Sequence, residues 1–362
     1  MKTRNRHKRT RNKSKKKGGG FFGSIRNKLF GKKSPISKMP NQRMSKNISY
    51  SPESLKHAFN FAVSSNIRPN SLGRGSFGHV ERTLTNGVIK RIPFTETLRK
   101  KNGVSYVTIP YNFEEEMELT KIAGSNNNPY VVQILGSYSN NNAGYVKLEI
   151  INPKIELEEA ITNTPPRVNI SNVKDIIIEL LKGLDSIHER KILHLDIKPA
   201  NTFVFPDTRK IKYFDFGIAS VVNDTPNKPG ETERYYSIQS TFRGSPRYSK
   251  PYKNTGYKKN PRRIFTYNKT DDYYSLSITI EEILLAIIPE IIKKSANPVQ
   301  YSLKSMNIDS LIAIIMDDAS INKQDKDTIA FIHIVIKNLQ ALKNDEKAID
   351  AIPRENNNNL TL

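Results

Sequence analysis

Cysteine is absent from all 362 residues, which excludes a disulfide framework or a thiolate metal site and fits a reducing compartment. Long uncharged apolar runs are absent too. The nearest, "LSITIEEILLAIIPEII" from Leu276, is broken by Glu281, Glu282 and Glu290, so it reads as a core helix and not as a membrane span. No secretory apolar region precedes the body, which is expected to be soluble. No internal repeat is visible, and no Gly-Lys-Ser/Thr follows the glycine cluster at 73–78, which excludes a Walker A loop. Acidic side chains are missing from residues 1–52, where 17 Lys or Arg stand. Most of the formal charge of +23 therefore belongs to that stretch.

The opening "MKTRNRHKRTRNKSKKKGGG" has too few apolar groups to offset the entropy of ordering and repels itself, so it reads as a disordered tail. It is either a solvated, solubilising arm or a contact for a polyanion, nucleic acid or anionic membrane, through residues 1–50, or a nuclear import signal. In "FFGSIRNKLFGKK" the side chains Phe22, Ile25 and Leu29 share a helical face. A stripe this short fits docking on its own domain better than lying on a membrane.

From Pro52 the texture changes. "LGRGSFGHV" and "NGVIKRI" read as strands around turns, "FEEEMELTKIAG" as a helix capped near Gly124, and "YVVQILGSY" and "AGYVKLEII" as further strands. After Pro153 helices dominate. "SNVKDIIIELLKGLDSIHERKIL" carries apolar residues at i, i+3, i+4 spacing behind Ser171 or Asn172 as N-cap. The expected fold is α+β: a small β-rich lobe at 53–151, a larger and mainly helical lobe at 152–345, and a flexible tail at 346–362. A cleft between two such lobes is where a small ligand would sit.

Three stretches could carry chemistry. Gly73, Gly75 and Gly78 in "GRGSFGHV" let a backbone approach phosphate oxygens closely. Lys90, on the next strand, is costly to bury unpaired and needs anionic company. Of Glu114, Glu115, Glu116 and Glu118 on the following helix, Glu116 is chosen as its partner. In "HLDIKPAN" (194–201), Asp196 and Asn201 offer a carboxylate and an amide oxygen, and Asp215 of "DFG" adds a second carboxylate. Asn201 and Asp215 suit a hard cation such as Mg²⁺. Asp196 is then free to accept a hydroxyl proton, and Lys198 to neutralise a transferring phosphoryl group. Singly each residue could be an ordinary turn former, and His194 a satisfied core histidine.

Taken in this order, the stretches resemble the eukaryotic-type protein kinase family over about residues 66–345, as do "GSPRYSKPY" and "DDYYSLSITIEEIL". The resemblance implies a two-lobed kinase-like fold that uses ATP with Mg²⁺, or Mn²⁺ in its place, and acts on Ser/Thr hydroxyls of protein substrates. By it Gly73, Gly75 and Gly78 would cover the ATP phosphates, with Arg74, Ser76, Phe77, Val80 and Val88 in the same ATP-binding region. Lys90 would hold the α- and β-phosphates and pair with Glu116. Asp196 would be the catalytic base, Asn201 and Asp215 the metal ligands, and Lys198 the mark of a serine/threonine-specific loop. Leu148, Glu149 and Ile151 resemble the gatekeeper and hinge. Ser245 resembles the residue facing the substrate hydroxyl, and Asp272 the brace of the catalytic loop.

Three departures stand out. Leu195 replaces an arginine, which puts phosphate-dependent activation in doubt. Tyr252 replaces the glutamate of an "APE" motif and removes its anchoring salt bridge. Val88 replaces an alanine and narrows the adenine pocket. The composition and basic tail also resemble kinases of large DNA viruses. The expected location is intracellular, in cytoplasm or nucleus, or in the host cell or virion for a viral protein. The alternative is a nucleotide-binding pseudokinase scaffold tethered by its basic tail.

Overall fold

The computed structural model describes residues 71–75, 78–82, 88–93, 113–139, 143–149, 155–163, 166–222, 238–296 and 307–342. The basic stretch, the Phe22–Leu29 stripe, Ser76, Phe77 and Ile151 lie outside them. Strands β1 (Ser71–Gly75), β2 (Gly78–Arg82), β3 (Val88–Pro93), β4 (Ile134–Ser139) and β5 (Ala143–Leu148) form an antiparallel sheet in the order β1-β2-β3-β5-β4. Helix α1 (Phe113–Ala123) packs on it. Its Phe113 and Met117 join Ile92 and Val146 in a small apolar core. The contact needs a glycine beneath it, because a Cβ on Gly144 of β5 would stand 2.3 Å from the Phe113 ring.

The second layer is mainly helical: α2 (Leu157–Thr162), α3 (Val173–His188), α4 (Pro251–Lys259), α5 (Lys269–Ile292), α6 (Ile308–Asp317) and α7 (Lys323–Ala341). Short strands lie among them. β6 (Ile155–Glu156), β8 (Thr202–Phe205) and β9 (Lys210–Tyr213) make one sheet, β7 (Ile192–Leu193) pairs with β10 (Ser220–Val221), and β11 (Ile238–Ser240) pairs with β12 (Phe265–Tyr267). The large core is built from α3, α5 and α7, with Ile176, Leu180, Leu184, Ile280, Leu284 and Ile332 fully buried. The isoleucine run 176–178 is a mediocre helix former, costing a few tenths of a kcal/mol per residue. Burying each such side chain contributes about 1.5–3 kcal/mol, so packing wins.

The run from Leu276 is the second half of α5, a core helix as expected. Among the described residues no helix is long and apolar enough to cross a membrane. Two expected caps differ in detail. Gly124 does follow α1, but with φ −84°, so the turn is not left-handed; a Cβ there would crowd the Gln133 side chain at 3.1 Å and Thr120 O at 3.2 Å. Asn172 stands at the start of α3, yet its side chain faces back, accepting from Asn169 N at 3.0 Å and donating to Arg167 O at 3.0 Å.

The two layers are stitched at Tyr213. Its N–H donates to Tyr130 O at 2.7 Å, and its carbonyl accepts from Val132 N at 3.1 Å. Leu180→Ala, at the centre of α3, should destabilise the chain by roughly 2–5 kcal/mol in urea unfolding with little change in the m-value. A loss below about 1 kcal/mol would show that the helical core is not packed this way.

Candidate active site

The stretch 194–201 is a loop between β7 and β8, closed by a short 3-10 turn over Pro199–Asn201. Its shape is imposed by Asp272, in the first turn of α5 and fully buried. Asp272 Oδ2 accepts from His194 N at 2.8 Å and Oδ1 from Leu195 N at 2.7 Å, while His188 Nε2 lies 3.0 Å from Oδ2. Leu195 needs this help, because its φ of 62° is the left-handed region, which costs an ordinary residue on the order of 1–2 kcal/mol. Hydrogen bonds to a charged acceptor, at about 1.5–3 kcal/mol each, exceed that cost.

His194 is both a satisfied core histidine and a positioning group. Its ring lies 4.7 Å from that of Phe216. Nε2 bonds Phe214 O at 3.2 Å, and Nδ1 accepts from Asp196 N at 3.4 Å. That pattern requires the Nε2–H tautomer. Burial pushes its pKa down against the raising pull of Asp272, Asp196 and Asp215, so the neutral ring is favoured.

The charged side chains of the loop converge. Asp196 Oδ2 accepts from Lys198 Nζ at 2.5 Å and from Asn201 Nδ2 at 2.9 Å, and Oδ1 accepts from the Ser245 hydroxyl at 2.7 Å. Lys198 Nζ also reaches Ser245 Oγ at 3.0 Å. Asn201 Nδ2 makes a second bond, to Asp196 O at 2.9 Å. With Nδ2 engaged twice, Oδ1 is the end that could coordinate a cation. Phe214 N donates to Asn201 O at 3.1 Å, so the chain leading to Asp215 runs beside Asn201. Both residues offer hard oxygen donors, which fits a magnesium-sized cation.

Lys90 forms the other half. Register sets Val80 and Val146 opposite it on the neighbouring strands, Gly75 opposite Gly78, and Val88 opposite Leu148. Arg74 and Gly73 lie on β1 of the same hairpin. Helical phase then selects the glutamate. Residues 113, 116, 117 and 120 of α1 face inward, and Glu114, Glu115 and Glu118 are exposed. Lys90 Nζ stands 3.4 Å from Glu116 Oε1 and 3.7 Å from Asp215 Oδ1. Asp215 adopts φ 68° to get there. A crevice of about 450 Å³, counted with its open side, lies against these three groups and is walled by Val146, Leu148 and Phe214.

The electrostatics are unbalanced, with one buried ammonium facing two carboxylates. Burial would lower the Lys90 pKa, but Asp215 and Glu116 together overcome it and raise the value. For Glu116, burial dominates over the attraction of Lys90 and pushes its pKa up to about 7. Glu116 Oε2 is buried and has no hydrogen-bond partner among the described residues. A site with surplus buried acid favours additional positive charge.

Three features refine the expectations. Glu149 does not offer its side chain to the crevice: its carboxylate takes Lys212 Nζ at 2.6 Å and Gln133 N at 2.8 Å, tying the lobes together. Its own N–H donates to Gln133 O at 3.0 Å and so is already engaged. Tyr252 is exposed and carries no anchor, yet the segment is anchored at the next residue. Buried Lys253 Nζ bonds Asp271 Oδ1 and Thr266 O at 2.6 Å each. Asp271 is the third helical residue of a capping box with Asn268, a signature readable as Asn-x-x-Asp. Gly244 was also missed. Its φ is +94°, and a Cβ would lie 2.5 Å from Leu195 O, so only glycine lets the Ser245 segment close on the loop.

The fold and crevice define a two-lobed α+β protein with a buried lysine–carboxylate centre. Residues 68–345 match the protein kinase domain, and the chain belongs to that family, in its eukaryotic type. It is 26% identical over 219 residues to mitogen-activated protein kinase kinase 5 of Leishmania mexicana, covering 60% of this chain and 36% of that protein. It is 26% identical over 218 residues to the serine/threonine protein kinase ypkA of Aspergillus fumigatus, 60% of this chain and 30% of that one. With the MAP kinase kinase skh1/pek1 of Schizosaccharomyces pombe it shares 25% over 230 residues, 61% and 54%. The chain thus spans about a third to a half of the length of these relatives.

Two outcomes test the site. A carboxyl whose folded pKa lies above its unfolded value loses stabilisation as pH rises from the unfolded value, 4.5, to the folded one, about 7. Glu116→Gln should therefore grow more stable relative to the parent as urea unfolding is repeated from pH 5 to pH 8, and a pH-independent difference would show Glu116 to be ionised throughout. Asp272→Ala strands buried donors and should cost at least about 3 kcal/mol. Unfolding at the parental urea midpoint would remove the brace.

Proposed function

We propose that the chain transfers the terminal phosphoryl group of ATP to serine or threonine hydroxyls of proteins. The observation that carries this reading is the convergence of Lys90, Glu116 and Asp215 on one side with Asp196, Lys198, Asn201 and Ser245 on the other. Lys90, held by Glu116, is the cation for the phosphates beneath the Gly73–Gly78 hairpin. Asn201 and Asp215 would hold magnesium, with manganese as the substitute, and the ion would neutralise phosphate charge. The adenine would lie against the strand pair that carries Val88 and Leu148, with Glu149 and Ile151 at the hinge.

Asp196 accepts the proton of the incoming hydroxyl and orients its oxygen toward phosphorus, as Lys198 offsets charge on the moving group. Ser245, bonded to both, is the nearest feature of the acceptor side. Serine/threonine preference is supported by Lys198 and by the similarity to serine/threonine kinases such as ypkA. A pseudokinase scaffold would have no use for the intact Asp196 cluster. Contact of residues 1–50 with a polyanion belongs to the same proposal, supported by their charge, as does an intracellular site of action.

Asp196→Ala should lower kcat by about 10²–10⁴-fold in a labelled-ATP assay and leave Mg-ATP affinity nearly unchanged, since it removes a group that acts on the hydroxyl. Absence of transfer by the parent chain, to itself or to acceptor proteins with either metal, would refute the proposal.

A further inference from the structure

The segment that leaves Asp215 and returns to Ser245 must hold both ends of the site in register. Its first end is tied by β10 on β7, and its second by β11 on β12. Arg243 joins the two ends directly. Nη1 donates to Ile218 O at 3.1 Å and Ala219 O at 3.2 Å, just after the Asp215–Gly217 turn. Nε donates to Ser240 Oγ at 2.9 Å, and the Arg243 backbone N–H to Tyr267 Oη at 2.8 Å. The next residue, Gly244, closes on Leu195 O, and the one after, Ser245, touches Asp196.

Leu195 itself is buried among Leu193, Val222, Phe265 and Tyr267, with Ile218 and Phe242 against them. An apolar side chain in an apolar cluster has nothing to offer a phosphate. Among the described residues the two ends are fixed by strand pairing, by packing and by the guanidinium fork, whose three acceptors are uncharged. A lysine, with one nitrogen in place of the planar fork, could not hold the two carbonyls and Ser240 Oγ together.

We infer that Arg243 is a positioning residue that latches the substrate segment from within, so that activity does not depend on phosphorylation of that segment. This rests on the kinase reading for its effect on turnover, but the latch can be measured without it. The full chain, its Arg243→Gln and Arg243→Lys variants, and phosphatase-treated parent verified by intact mass would be compared by acceptor-protein kinetics, Mg-ATP binding and amide hydrogen exchange.

The treated parent keeps its rate within about twofold, whereas Arg243→Gln loses about ten- to a hundredfold in kcat for the acceptor through misplacement of Ser245 on the acceptor side of Asp196. Its Mg-ATP affinity stays within about threefold of the parent, because it removes none of the groups assigned to the nucleotide, and Arg243→Lys recovers only part of the rate. Exchange quickens at residues 218–222 and 240–245 in Arg243→Gln alone. Loss of activity on dephosphorylation, or unchanged exchange in Arg243→Gln, overturns the inference. A parent with no transferase activity but a Gln variant with faster exchange refutes the kinase reading and leaves the latch standing.

Discussion

A single buried carboxylate organises the catalytic loop. Asp272 sits in the first turn of the longest described helix, where the positive end of the helix favours a negative charge. It receives the backbone of His194 and Leu195 and the ring of His188. Without it the left-handed turn at Leu195 loses its hydrogen bonds to a charged acceptor, and the backbone that leads into Asp196 loses its brace. The helical core exists, in this sense, to deliver one rigid acceptor to one strained loop.

The Lys90 side works by an opposite device. There the fold leaves charge out of balance, with Lys90 shared between Glu116 and Asp215 and a buried Glu116 oxygen that has no partner among the described residues. Burial makes that acid costly, and an added cation would suit it better than water does. The strained φ at Asp215 belongs with this imbalance, because relaxing the backbone would take the carboxylate off Lys90.

Much of this was legible from residues alone. Lys90, Asp196, Asn201 and Asp215 carry chemistry that few other side chains can supply, so type and order were enough to nominate them. Glu116 was reachable through helical phase, which places 113, 116 and 117 on one face. Tyr252 misled because the anchor had moved one residue along, to Lys253, whose partner Asp271 lies 18 positions away. Arg243 gave no signal: an arginine beside a glycine says nothing about carbonyls 24 and 25 residues earlier.

The sequence by itself determined the periodic faces, the approximate element order and the inventory of charged groups, since these follow from local spacing and side-chain chemistry. Only the tertiary structure decided that Glu149 serves the join between lobes and not the crevice, that Leu195 lies in an apolar nest, and that Asp272 reaches back 77 and 78 positions to hold a loop. Such contacts are set by how helices pack around a shared core, and separation along the chain carries no record of them.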